Sequence, residues 1–155
     1  MPPEAPLSTT HPHGEVAAHQ QNVTHRYVMH YPEHAPRADD QHYAAFEAYR
    51  RHTKATAVCY VGERAGHDSC STGPLELHHA VLEFATANAA DPVALHRDFP
   101  EVSEHATADE IAAWVESSPG AFRWLCAFHH RGHGGAHTAS HADWQAQLYV
   151  PGLIG

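Results

Sequence analysis

Two short segments, each leading into a pair of histidines, constrain this chain more than any other feature. Leu75-Glu76-Leu77-His78-His79 alternates apolar and polar residues up to its pair, and the apolar run Phe122 to Cys126 is followed by Ala127-Phe128-His129-His130. Each predicts a short strand. Adjacent residues on a strand point to opposite faces, so one histidine of a pair is placed to bind a metal while its neighbour faces a substrate water. His129, His133, His137 and His141 recur every four residues, but Gly132, Gly134 and Gly135 oppose a helix running through them. A folded loop that brings His130 to His137 is expected instead.

The remaining chain reads as helices around these strands. Residues 1–24 carry Pro2, Pro3, Pro6 and Pro12 with little apolar periodicity, and predict a disordered polar tail. Tyr27 to Tyr31 predicts a short strand or extended arm, and Asp39-Asp40 offer caps for a helix near residues 40–56 with Tyr43, Phe46 and Tyr49 on its apolar face. Val58 to Val61 predicts another short strand, and residues 62–73 a polar loop. Residues 80–90 predict a helix, and Asp91-Pro92 the start of a short one. Thr107-x-x-Glu110 is a capping box for a helix over 108–116, and Ser140 caps a final helix. Residues 25–155 are expected to form a single domain.

Composition narrows the function. The chain has 155 residues and 18 histidines, and its 9 Lys+Arg against 18 Asp+Glu give a formal charge of -9 with histidine neutral. That balance argues against a protein coating nucleic acid by bulk electrostatics. No apolar run is long enough to span a membrane, and no secretory signal is visible, so a cytoplasmic location is expected. Three cysteines cannot close a disulfide framework and read as metal ligands or buried thiols.

Leu75 to His79 together with Phe122 to His137 resembles the two halves of an HNH endonuclease motif, and residues 26 to 154 resemble small HNH proteins of actinobacteria and their phages. The resemblance implies an α+β fold with a ββα-metal (HNH, His-Me finger) core, extended by an N-terminal helix and by helices inserted between the half-motifs. It implies a divalent-metal-dependent DNA endonuclease that cuts or nicks phosphodiester bonds to leave a 5′-phosphate. Position by position, His79 matches the general base, and His78, His130 and His137 (alternate His133) the ligands of one Mg2+, Mn2+, Ni2+ or Zn2+ ion. The chemistry suits those residue types. A cation stabilises charge on the phosphate and leaving oxygen, and an imidazole near its working pH takes a proton from water. Ala121 stands where the family carries its middle Asn, which leaves the loop that orients the base without its usual tie.

Members of the family often brace the fold with four zinc-binding cysteines. Here Cys59, Cys70, Cys126 and His129 offer a Cys3His set for a structural Zn2+. Arg50, Arg51 and Lys54, with Arg123 and Arg131, are the candidates for contact with DNA phosphates. By the same resemblance, phage packaging machinery or a second copy of the chain are the expected partners besides DNA, in the cytoplasm of a bacterial host. A zinc-braced binding module that no longer cuts is the alternative.

Overall fold

The computed structural model describes residues 16–155, so His11, His13 and most of the expected tail lie outside the described residues. Residues 16–36 form an exposed arm without regular structure, so Tyr27 to Tyr31 is extended chain rather than a strand. Eight elements follow: α1 (Tyr43–Thr53), α2 (Tyr60–Ala65), β1 (Glu76–His79), α3 (Pro92–Asp98), α4 (Ala108–Ser117), β2 (Phe122–Leu125), α5 (Ala127–Arg131) and α6 (His141–Gln147). The architecture is α+β, with helices around one two-stranded antiparallel sheet. Among the described residues no helix is long and apolar enough to cross a membrane.

The sheet pairs Glu76 with Leu125, Leu77 with Trp124, His78 with Arg123 and His79 with Phe122. The two-residue period puts Leu77, His79, Phe122 and Trp124 on one face and Glu76, His78, Arg123 and Leu125 on the other. Helix α1 covers the first face. Phe46 meets Phe122 edge-on at 5.6 Å between ring centroids, Tyr49 lies 4.7 Å from the same ring, and the Trp124 indole N–H donates to Thr53. Leu125 packs on the other face with Cys59, Val61, Cys126 and Leu148 in one buried cluster. A second cluster joins Ala87, Leu95, Val102, Ile111 and Val115, so the segment between the strands builds its own apolar centre.

Local signals explain several boundaries. Asp91 accepts the amide of Val93 and Pro92 opens α3. Thr107 and Glu110 close both arms of the capping box that starts α4, and Ser140 caps α6 through the amide of Asp143.

Three expectations are corrected. The segment Val58 to Val61 is not a strand: Cys59 is the N-cap of α2, and the chain coils at once, burying Val61 and Gly62. Four residues of β-favouring sequence are a weak preference, and here packing overrides it. Residues 80–90 are not an α-helix. The amide of Ala80 stays bound to the Ala121 carbonyl at the sheet edge, and only a 3-10 helix, Phe84–Ala89, follows. Helix α1 begins after His42, not at Asp39-Asp40, because Asp40 turns its carboxylate to the His42 amide and to Arg37.

Ile111 is 1 % exposed at the centre of the second cluster. Ile111→Ala is expected to cost about 2–5 kcal/mol, read from the urea midpoint and slope. A change below about 1 kcal/mol would show that this cluster does not stabilise the fold.

Candidate metal centres and the histidine cleft

Two groups of ligand side chains converge where β2 runs into α5. In the first, one ligand atom from each of Cys59, Cys70, Cys126 and His129 lies within 4.8 Å of all the others. Cys59 and Cys126 are both N-cap residues, each ending an extended stretch before a short helix, and both are buried. Cys70 follows a 3-10 turn, His67–Ser69, that folds back beneath α2. Gly62 makes room for it, since a Cβ there would stand 2.8 Å from the Cys70 sulfur. His129, 1 % exposed, brings Nδ1 to 3.5 Å from Cys59 Sγ, 3.7 Å from Cys70 Sγ and 3.2 Å from Cys126 Sγ. Its other nitrogen, Nε2, is 3.3 Å from the Ser69 hydroxyl.

This geometry fits zinc. A tetrahedral ion with Zn–S of about 2.3 Å and Zn–N of about 2.0 Å separates sulfur from nitrogen by roughly 3.5 Å. A hydroxyl on the outer nitrogen fixes the ring orientation that such a ligand needs. A bound cation would also let the thiols ionise together. Burial and the nearness of Cys59 and Cys126 push the Cys70 thiol up to about 12, because three sulfurs cannot ionise together unaided. Cys126 moves the other way: burial opposes its ionisation, but the His129 amide and Ser71 hold it below the ordinary thiol range. Burial likewise lowers His129, keeping the imidazole neutral and able to bind.

The second group is His78, His130 and His137, whose ligand nitrogens also lie within 4.8 Å of one another. His78 comes from β1, His130 from α5, and His137 from the loop after it. That loop is folded tightly: the amides of Ala136 and His137 return to the carbonyls of His129 and His130. Gly135 permits the return, since a Cβ there would sit 2.6 Å from the His130 carbonyl oxygen. The loop brings in His137; the alternate, His133, is exposed and outside the group.

Hydrogen bonds set the state of these rings. His130 donates Nδ1–H to Glu76 at 2.5 Å, and its Nε2 faces His137 Nε2 at 3.2 Å. Glu76 is held below the usual carboxylate range by Arg131 first, against burial, and then by His130. His78 Nδ1 is buried and has no hydrogen-bond partner in the protein. Burial, with the neighbouring His137 and His130, pushes His78 down to about 3, so the ring is uncharged at neutral pH. Three imidazoles, one with an unused buried nitrogen, are a donor set suited to a first-row divalent cation.

His79 points to the opposite face of β1. Its Nε2–H donates to Glu116 Oε1 at 2.6 Å, and its ring lies stacked on Phe46 at 5.2 Å. Glu116 is 0 % exposed, and its second oxygen accepts from Arg37 at 2.7 Å. Burial pushes Glu116 up, yet the bonds from His79, Arg37 and Asp40 win and hold it below the usual carboxylate range. Burial and the nearness of Glu116 push Asp40 the other way. At the end of β1 the two faces meet. A cleft of about 520 Å³ is lined by His79 and His137 together with Tyr31, His34, Arg37 and Glu83. The Glu83 carboxylate spans it, 4.0 Å from His79 Nδ1 and 3.7 Å from His137 Nε2.

The sequence-derived phosphate candidates are differently placed. Arg131 is bound by Glu76 and Arg50 by Glu47, while Arg51 and Lys54 are exposed at the end of α1. Arg123 sits across the strand pair from His78 and lies over the Tyr60 ring. Ala121 is buried, and only its backbone is hydrogen-bonded. Glu116, Arg37 and Glu76 were not singled out by sequence. Arg37 and Glu116 are 79 positions apart, and no local spacing links them.

Comparison with protein-family models, with curated proteins and with solved structures returned no match.

One tightly held zinc per chain is expected in the purified protein. Cys126→Ser should remove it and lower the melting temperature, because binding free energy of such a site is folding free energy. Native mass spectrometry with metal analysis checks both, and full zinc retention in Cys126→Ser would contradict the site.

Proposed function

We propose that this protein is a divalent-metal-dependent DNA endonuclease with a ββα-metal core formed by β1, β2 and α5, the fold and activity that its paired half-motifs resemble. The observation that carries the reading is the cleft lined both by His137, one member of the three-histidine group, and by the separate, hydrogen-bonded His79.

His78, His130 and His137 would hold one cation, which supplies Lewis-acid stabilisation of charge on the scissile phosphate and its leaving oxygen. Their nitrogen donors favour Zn2+ or Ni2+ over Mg2+ and Mn2+, harder ions that prefer oxygen. His79 takes the proton from the attacking water at Nδ1, the ring nitrogen nearest the cleft carboxylate Glu83. Glu76 and Arg131 fix His130 for its role. The Cys3His group braces α2 and the Cys70 turn against α5, and so holds the helix that carries His130 and leads into the loop of His137. A formal charge of -9 leaves little general attraction to DNA, so binding rests on the cation and on a few arginines such as Arg123.

Supercoiled plasmid incubated with Mn2+, Ni2+, Zn2+ or Mg2+ tests the proposal. Nicking is expected, falling steeply as salt rises, and His79→Ala should lower its rate by at least about 100-fold. Equal nicking by His79→Ala would remove the base assignment. Absence of nicking with every metal would favour the second reading, a zinc-braced binding module, which the alanine at position 121 favours.

A further inference from the structure

Glu116 is a carboxylate with no exposed surface, at the end of a helix whose neighbouring positions Ile111 and Val115 are apolar core. Its two oxygens are divided. Oε1 accepts from His79 Nε2 at 2.6 Å, and Oε2 accepts from Arg37 at 2.7 Å, whose guanidinium also reaches Asp40 at 3.0 Å. Arg37 is itself held in place, with Tyr43, Phe46 and Phe84 rings around its guanidinium carbon at 4.9, 5.2 and 5.0 Å. Phe46 also stacks on the His79 ring at an interplanar angle of 16°. The stack fixes the plane of the imidazole, and the bond to Glu116 fixes its rotation within that plane.

An ionised carboxylate bound on one side to a guanidinium can only accept on the other. The proton on His79 must then sit on Nε2, and the lone pair on Nδ1. We propose that Glu116 is the positioning residue of this site: it locks His79 in the tautomer whose free nitrogen, Nδ1, faces the cleft shared with His137. The proposal rests on the reading of His79 as the base. During proton transfer, a water O–H bond breaks and an Nδ1–H bond forms, while the water oxygen bonds to phosphorus and the leaving oxygen departs with its electron pair. The imidazolium that results stands beside the Glu116 carboxylate, which stabilises it without taking its proton. Ala121, buried and without a polar side chain, can supply no such bond.

Glu116→Gln provides a sharp test because it keeps size and shape. Arg37 only donates, so the amide oxygen must turn to it and the NH2 group to His79. Nε2 then has to accept, and the proton moves to Nδ1. Long-range 1H–15N correlation spectra of the histidine rings, recorded with the chain unlabelled by paramagnetic ions at about pH 8, where imidazoles are neutral, report this directly. His79→Gln assigns the signals. The native chain should show Nε2–H at His79 and Glu116→Gln should show Nδ1–H. In plasmid nicking, Glu116→Gln should lose at least about 100-fold in kcat with KM changed less than about threefold, and Glu116→Asp should keep the native tautomer and recover part of the rate.

Nδ1–H at His79 in the native chain would overturn the proposal, and that measurement needs no variant to fold. A rate loss in Glu116→Gln with the native tautomer retained would also overturn it, showing a role in folding alone. Native Nε2–H that switches in Glu116→Gln, in a chain that fails to nick DNA with any of the metals, would defeat the endonuclease reading while leaving Glu116 as the group that positions His79.

Discussion

The antiparallel pairing of Glu76–His79 with Phe122–Leu125 is the contact on which the other features rest. It joins segments more than forty residues apart, sets His78 and His79 opposite Arg123 and Phe122 at one end of the sheet, and starts α5 from the other. A strand sends successive side chains to opposite faces, so two adjacent histidines acquire unlike environments without any further device. His78 turns to the side of α5 and meets two other imidazoles; His79 turns to the side of α1 and meets Phe46 and Glu116. A one-residue slip of register would exchange the two and destroy both arrangements.

Four residue pairs are too few to stand alone, since a two-stranded sheet is marginal in water. The inserted helices supply one support. Their own apolar cluster holds α4 in place, and α4 in turn presents Glu116 to His79. The Cys3His group supplies the other, binding α2, the Cys70 turn and α5 at the opposite side of the sheet. Glu116 illustrates the design: a group that is costly to bury is placed where opposite charge offsets the cost.

Much of this was legible from local patterns. The alternation of Leu75 to His79, the capping box at Thr107 and the proline after Asp91 each act within a few residues, and each marks an observed element. The glycines after Arg131 correctly signalled a folded loop in place of a helix. The four-ligand set was also assembled, by way of the family resemblance, although Cys70 lies 59 positions from His129. What failed, or went unseen, depends on distant partners. Val58 to Val61 has strand-like residues, yet the inward turn of Cys59 makes it the start of α2. Glu116 reads as one more charge on an amphipathic helix; only the fold shows that Arg37 and His79 converge on it. Glu76 reads as the polar step of an alternating strand, while in space it orients His130.

Around the β1–β2 pair lie two candidate metal centres of different chemical character, one of cysteines with a histidine and one of imidazoles. Cobalt titration of the metal-free chain, followed by optical absorption, distinguishes them in a single experiment. One equivalent should develop intense near-ultraviolet thiolate-to-cobalt bands with the visible bands of a tetrahedral ion. A further equivalent should bind without adding to the thiolate bands, and should be lost in His130→Ala while the first remains. A single class of cobalt, or uptake that never develops a thiolate band, would contradict the account.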